Sequence, residues 1–215
     1  MKIGILGSGH VGQTLARAFA QEGYQAMIGT RNPSKPELVK WKNENPSGAL
    51  GSFAEAAKFG EILVLAMEGS VADKVMSIAG VENFDSKVVI DATNPIAKQP
   101  PTNGVLHFFT TLEDSLMERL QKLAPRAKLV KAFNSVGNAF MYKPSFAGGK
   151  PTMFICGNDE GAKKTVTDIL IAFGWETEDL GKVEAARAIE PLCMLWCIPG
   201  MLKNQWSHAF KLLKA

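Results

Sequence analysis

The 215-residue sequence predicts an α/β fold with a doubly wound, mainly parallel sheet, on three observations. Short apolar runs alternate with amphipathic segments along the chain, as in parallel sheets whose two faces are covered by helices. A glycine-rich turn follows the first apolar run. Hydrophobic residues make up 46% and charged residues 21% of the chain, which is enough apolar material for a folded core.

The elements follow in order along the chain. Six apolar runs are predicted to form strands, at residues 2–6, 26–29, 62–67, 88–92, 129–133 and 152–156, and a last short strand is predicted near residues 176–180. Apolar residues at helical spacing predict helices at residues 11–22, 37–43, 53–58, 70–78, 112–123 and 160–173. The run from Thr111 to Asp114 resembles a capping box for the fifth helix, and Pro125 would end that helix. Residues 94–110 form the one long irregular connection, and such loops are more often functional than not.

The length predicts one domain with a short appendage, at roughly 100–200 residues per domain. We assign residues 1–181 to the doubly wound domain and residues 182–215 to an apolar helical C-terminal extension that is not an independent domain. This extension either covers the sheet edge of its own chain or packs against a second copy. With so little chain outside the sheet, we expect a broad planar ligand at an open cleft, or a pocket completed by a second subunit.

Charge and cysteine content exclude several classes of protein. The 24 basic and 21 acidic residues are scattered, so nucleic-acid binding is not expected. The N-terminus lacks the apolar stretch of a signal peptide. The longest apolar run, residues 192–202, is broken by Pro199 and Gly200 and is shorter than the ~20 residues that span a bilayer. Three cysteines form no disulfide framework. We therefore expect a cytoplasmic protein without a membrane partner.

The glycine-rich turn reads Gly7-Ser8-Gly9-His10-Val11-Gly12 and matches G-x-G-x-x-G. In this motif the first glycine permits a tight turn, the second lets the backbone approach a pyrophosphate, and the third packs the helix closely on the strand. The helix N-terminus then offers free N–H groups to the anion. Between a strand and a helix, the motif predicts Rossmann-like dinucleotide binding. The alternative is a glycine-rich turn that binds no ligand.

The end of the second strand predicts which nicotinamide cofactor is bound. It reads Gly29-Thr30-Arg31-Asn32-Pro33-Ser34-Lys35 and lacks the acid that an NAD-selective site places there for the ribose 2′-hydroxyl. A hydroxyl, a guanidinium and an ammonium group suit a 2′-phosphate instead. We therefore predict NADP(H) over NAD(H). The alternative is that Arg31 and Lys35 are solvated loop charges.

Five segments together carry a family resemblance, at residues 7–12, 29–33, 91–95, 131–135 and 185–191. The chain resembles the NADP oxidoreductases that depend on the deazaflavin coenzyme F-420. It is also similar to the cytosolic oxidoreductase domain of six-transmembrane ferric metalloreductases. The motif order is kept over nearly the whole chain. The resemblance implies hydride transfer involving NADP(H), with a deazaflavin or flavin as the acceptor, and association of two copies through C-terminal helices.

The resemblance also implies a site at the carboxyl ends of the strands. It places the pyrophosphate at residues 7–12 and the 2′-phosphate at Thr30, Arg31 and Lys35, with Asn32 also among the cofactor-binding residues. The residues implied for the ribose, the nicotinamide and the acceptor pocket are Ala66, Met67, Asn94, Pro95, Ala132, Phe133 and Asn134. Archetypal deazaflavin reductases carry His at the position of Asn134, whereas metalloreductase-like members carry Asn.

No catalytic side chain is assigned among the remaining polar residues. Hydride transfer between two stacked rings needs proximity and orientation and no side-chain nucleophile, and the chain has no Tyr-x-x-x-Lys pair of the kind that serves carbonyl reduction. Lys131 and Asn134 could hydrogen-bond a ring, although Lys131 is equally consistent with a strand-end charge. His107 either lines the acceptor pocket or is a plain loop residue. His208 is expected at the surface, and Cys193 and Cys197 are expected as buried thiols without a metal.

Three functions therefore stay open. The first is an NADPH-dependent reductase of a flavin or deazaflavin. The second is an NADPH-dependent reductase of a small carbonyl or imine. The third is a non-catalytic NADP(H)-binding module that senses redox state or regulates a partner.

Overall fold

A computed structural model describes residues 1–215 and contains one eight-stranded sheet. The strand order is β3-β2-β1-β4-β5-β6-β7-β8. All neighbouring strands are parallel except β6 and β7, which are antiparallel. The strands are Lys2–Leu6 (β1), Gln25–Gly29 (β2), Ala49–Gly51 (β3), Ile62–Leu65 (β4), Val88–Asp91 (β5), Lys128–Lys131 (β6), Thr152–Gly157 (β7) and Glu176–Asp179 (β8). The predicted doubly wound, mainly parallel architecture is confirmed.

Seven α-helices cover the two faces of this sheet. They are His10–Gln21 (α1), Pro36–Glu44 (α2), Phe53–Phe59 (α3), Ala72–Ala79 (α4), Leu116–Leu123 (α5), Glu160–Ala172 (α6) and Ala186–Lys203 (α7). Short 3-10 turns precede α4 and α7, at Gly69–Val71 and Val183–Ala185.

Alternation along the strands divides the core between the two faces. Ile3 and Ile5 of β1 pack with Phe19 of α1 on one face, whereas Leu63 and Leu65 of β4 belong to the cluster on the other. Successive side chains of a strand point to opposite faces, so β1, β4, β5, β6 and β7 each contribute to both clusters. These five apolar runs of the sequence are therefore strands buried on both sides.

The structure corrects two elements of the sequence prediction. The short strand β3, Ala49–Gly51, was not predicted, because its three residues include no β-branched side chain and are only half buried. Helix α5 begins at Leu116 instead of residue 112, and its cap is not the run from Thr111 to Asp114. The Ser115 hydroxyl accepts the Glu118 N–H at 3.2 Å, and the Glu118 carboxylate accepts the Ser115 N–H at 3.0 Å. A true capping box thus lies four residues further along the chain.

Helix α7 continues through both of its prolines, Pro191 and Pro199. Pro199 and Gly200 thus interrupt the apolar run of the sequence without ending the helix. The segment Val183–Lys203, with a mean hydropathy of 1.2, is long and apolar enough by length and composition to cross a membrane. A single such helix is weak evidence, because the core helix of a soluble protein passes the same test, and 39% of an apolar 18-residue stretch of this segment is buried.

The chain reverses after α7 at Asn204, which has a left-handed φ of 53°, and the tail packs back on the helix. The Trp196 indole N–H donates to the His208 carbonyl at 2.8 Å, and His208 Nε2 lies 3.0 Å from the Trp196 carbonyl. The two rings stack with their centroids 5.0 Å apart. His208 is thus half buried in an internal contact, and its expected surface position is wrong.

A buried charge cluster fixes α7 to the sheet. The Lys131 ammonium at the end of β6 lies 2.7 Å from Asp91 Oδ2 and 2.9 Å from Glu190 Oε1, and all three side chains are at most 2% exposed. The Glu190 carboxylate also accepts the N–H groups of Leu116 and Met117, both at 3.0 Å, at the start of α5. Burial alone lowers the pKa of Lys131, but the two carboxylates outweigh it and hold the pKa above the usual lysine value.

The Lys131→Met variant is expected to lose about 3–5 kcal/mol of the free energy of unfolding, because two buried carboxylates lose their counter-charge. Urea unfolding followed by circular dichroism measures this loss. Lys122→Met, which removes an exposed lysine of α5, is the matched control and should change stability by less than about 0.5 kcal/mol. Equal stabilities of the two variants would contradict a structural role for the buried cluster.

Candidate functional site

A cleft of about 640 Å³ opens at the carboxyl ends of β1, β2 and β4. The strand β1 pairs with β2 on one side and with β4 on the other, so the strand order changes direction there. Open α/β sheets bind their ligands at such a switch point. The cleft is lined by Gly7, Ser8, Gly9, His10, Val11, Thr30, Arg31, Lys35, Phe53, Ala66, Met67, Glu68, Val71, Lys74, Val75, Ile78 and Ala92.

The three motif glycines differ in the space around them. Gly7 has a φ of +132°, and a Cβ there would lie 2.2 Å from the Ala66 carbonyl oxygen. A Cβ at Gly12 would lie 2.0 Å from the Gly7 carbonyl oxygen. In contrast, a Cβ at Gly9 would meet no atom within 4 Å. Gly7 and Gly12 are therefore required by the fold, whereas the space beside Gly9 is open to a ligand and suits the pyrophosphate of a dinucleotide.

The end of β2 is tied to the glycine loop through Thr30. This side chain is only 4% exposed, and its hydroxyl lies 3.1 Å from the Ser8 hydroxyl and accepts the Asn32 N–H at 3.3 Å. Arg31 and Lys35 are exposed on the cleft. Lys35 is 3.9 Å from the Glu37 carboxylate, a distance at which an exposed pair contributes little. Both cations are therefore free to meet an anion.

Sequence reasoning missed the other wall of the cleft, which Phe53, Glu68 and one face of α4 provide. Residues 71, 74, 75 and 78 follow helical spacing, a signal shared by every helix that packs on a sheet. The spacing alone could not show that this face borders a cleft. The lining carries more positive than negative side chains, with Arg31, Lys35 and Lys74 against the single acid Glu68.

The predicted cofactor and acceptor residues after β5 and β6 do not line this cleft. The side chain of Asn134 is 4% exposed and donates to Asn94 Oδ1 at 3.2 Å and to the Ile189 carbonyl at 3.0 Å. In return, the Asn94 amide donates to the Asn134 carbonyl at 2.7 Å. Asn94 and Asn134 thus hold together the loops that follow β5 and β6, and they link both loops to α7. Pro95 and Ala132, their neighbours on these loops, are buried.

The structure does not place Phe133 and His107 with the cleft. Phe133 is 1% exposed and belongs to the core, with its ring centroid 6.0 Å from that of Phe173. Its φ of +64° is in the left-handed region. His107 is exposed on the long loop, and its Nε2 lies 2.9 Å from the Thr102 hydroxyl. Phe133 therefore fills the core instead of lining an acceptor pocket.

Two further polar side chains, Lys131 and Cys156, are buried and do not line the cleft. Lys131 is fully buried between Asp91 and Glu190, and its ammonium also donates to the Thr93 carbonyl at 3.0 Å, so its suggested contact with an acceptor ring is wrong. Burial raises the pKa of the Cys156 thiol to about 12, so this thiol stays protonated at neutral pH.

Comparisons with known proteins point to NADP oxidoreductases. A family model described as NADP oxidoreductase, coenzyme F420-dependent, matches residues 2–95. The F420-dependent NADP reductase of Methanocaldococcus jannaschii is 28% identical over 208 residues, covering 91% of this chain and 90% of that protein. The metalloreductase STEAP3 of Rattus norvegicus is 30% identical over 206 residues, which cover 94% of this chain but only 39% of the rat protein.

Solved structures give the same result for the fold. A proposed F420-dependent NADP reductase from Arthrobacter sp. FB24 is 33% identical, covers all of both chains and superposes with a TM-score of 0.93. An imine reductase from Streptomyces aurantiacus, at 16% identity, covers 94% of this chain and 63% of its own, with a TM-score of 0.65. At that identity the second likeness concerns the fold alone.

The Gly9→Val variant is expected to fold normally and to lose NADPH binding. Its backbone φ of −75° is acceptable to any residue, and no neighbouring atom meets a Cβ there, but the side chain would occupy the pyrophosphate position. Gly148→Val is the matched control, because Gly148 also has open space around it and lies outside the cleft. Thermal melting should be unchanged in both variants, and NADPH titration should show loss only in Gly9→Val. Binding that survives in Gly9→Val would reject this loop as the pyrophosphate site.

Proposed function

The chain belongs to the family of F420-dependent NADP oxidoreductases, and from that premise we propose that it transfers a hydride between NADP(H) and a flavin-like or deazaflavin (F-420) acceptor. It is an NADP-dependent oxidoreductase, as its family is. The identity of the acceptor is the proposed part.

One observation carries the proposal, the cleft at the switch point of the sheet. Its glycine loop leaves open space beside Gly9, its β2 end carries Thr30, Arg31 and Lys35, and no acid follows β2 at that place. This combination fits a pyrophosphate and a 2′-phosphate together, which is the recognition that NADP(H) requires. NAD(H), which lacks the 2′-phosphate, would leave the cations of the cleft without a counter-charge.

The residues of the cleft bind and orient, and NADPH supplies the hydride. Backbone N–H groups at the start of α1 hold the pyrophosphate, and Arg31 and Lys35 hold the 2′-phosphate. Ala66 and Met67 at the end of β4 lie where the chain can support the ribose and the nicotinamide. Because the rate of such a transfer depends mainly on the position of the two rings, no acid or base from this chain needs to be assigned.

The acceptor side is proposed to lie towards the loops after β5 and β6. Asn94 and Asn134 stand there, held by mutual hydrogen bonds, and His107 is exposed on the loop that follows Asn94 and Pro95. The open form of the cleft suits a broad planar ring better than a small enclosed substrate. A flavin or a deazaflavin has that shape.

A panel of acceptors tests the proposal by following the absorbance of NADPH. We expect oxidation of NADPH with coenzyme F-420, or with FMN or FAD, and much slower oxidation of NADH. Turnover only with small imines or carbonyls would favour the second function, and tight NADPH binding without turnover on any acceptor, ferric chelates included, would favour a regulatory module. Equal use of NADH and NADPH would contradict the assignment of the 2′-phosphate site.

We also propose a cytoplasmic homodimer formed through residues 182–215. Leu195, Met201 and Leu202 of α7 are 54%, 43% and 57% exposed, and such apolar residues favour contact with another protein surface. The three unpaired cysteines suit a reducing compartment.

Light scattering at micromolar concentration should give twice the chain mass of 23.2 kDa. A Leu195→Lys, Leu202→Lys double variant should halve the measured mass, and a monomeric wild type would refute the dimer.

A further inference from the structure

One face of α4 and the turn before it forms a wall of the cleft to which the proposed function gives no role. Val71, Lys74, Val75 and Ile78 line the cleft at positions i, i+3, i+4 and i+7. Two of these apolar side chains are unusually exposed, Val71 at 37% and Ile78 at 54%. Exposed apolar groups on a concave surface favour a ligand whose flat apolar face covers them. An adenine ring has such a face.

Lys74 stands between these apolar residues at a position that does not stabilise the helix. It is the third residue of α4, Ala72–Ala79, and the first turn of a helix favours acidic side chains and disfavours cations. Asp73 beside it follows the rule, since its carboxylate accepts the Lys74 N–H at 2.7 Å. The Lys74 ammonium is exposed and belongs to none of the ion pairs of the chain. Proteins break such local rules mainly at functional or strained sites.

The charge of the cleft adds an independent reason. Arg31, Lys35 and Lys74 line the same cleft as a single acid, Glu68, so the cations repel one another until an anion binds. The pyrophosphate is already met by N–H groups at the start of α1. The 2′-phosphate is the remaining anion of NADP(H), and it is doubly charged near pH 7.

We infer that Lys74 binds the 2′-phosphate from the α4 side of the cleft, while Val71 and Ile78 cover the adenine ring, which makes Lys74 a specificity-determining residue for NADP(H) over NAD(H). The inference rests on the proposed function, because it assumes that the cleft holds NADP(H). It adds a second wall to a phosphate site that sequence motifs place only at the end of β2.

Four ligands and matched variants test this inference. NADPH, NADH, adenosine 2′,5′-bisphosphate and 5′-AMP are titrated into the wild type and into Lys74→Met and Ile78→Ser. Lys122→Met is the control for charge. Ile171→Ser is the control for the apolar residue, because Ile171 is also 54% exposed but lies outside the cleft. Arg31→Ala serves as the reference for the β2 side, and thermal melting checks that every variant is folded.

Lys74→Met should weaken NADPH and the bisphosphate about tenfold, the loss of one charge-assisted contact, and leave NADH and 5′-AMP within about twofold. The tenfold loss should shrink at high salt. Ile78→Ser should weaken all four ligands, whereas both controls should bind as the wild type does.

Three results would overturn the inference. If Lys74→Met binds all four ligands as Lys122→Met does, Lys74 is not part of the site. NADPH binding by the wild type would then leave the proposed function intact. An equal loss of affinity for NADH and NADPH would indicate that Lys74 contacts the pyrophosphate, and it would reject the role of Lys74 in specificity. A wild type that binds neither NADPH nor the bisphosphate would reject the proposed function itself, and the inference with it.

Discussion

The second half of the structure depends on one buried ammonium group. Lys131 joins β6 to Asp91 at the end of β5 and to Glu190 of α7, and Glu190 in turn caps the start of α5. A charge removed from water is stable only with good geometry and satisfied hydrogen bonds, so this cluster permits one arrangement of these four elements. The apolar helix α7 is thereby placed by polar contacts that its hydrophobic surface could not specify.

The carboxyl edge of the sheet has an open part and a closed part. The carboxyl ends of β1, β2 and β4 open into the cleft, where cations and glycine backbone face solvent. The carboxyl ends of β5 and β6 are closed by polar contacts. Lys131 of β6 pairs with Asp91 of β5, and Asn94 and Asn134 hydrogen-bond to each other across the loops that follow these strands. The open part leaves space at the carboxyl ends of its strands, and the closed part is held by hydrogen bonds and ion pairs beside it.

The sequence predicted the parts of the molecule that depend on local patterns. The apolar run of β1, the glycine loop and the cations after β2 each carry their signal within a few residues. The buried cluster could not be found in this way, because Glu190 follows Lys131 by 59 positions, and the role of each depends on the other. Phe133 was misplaced because its position next to a predicted site residue, Asn134, says nothing about which way its ring points.

At position 133 the backbone and the core favour different residues. Its left-handed φ of +64° is one that glycine adopts freely and that costs another residue roughly 1–2 kcal/mol. Its ring, however, lies in the core beside Phe173, where glycine would leave a cavity. No amino acid satisfies both the backbone and the packing, so the residue observed there is a compromise in which side-chain volume has prevailed over conformational ease.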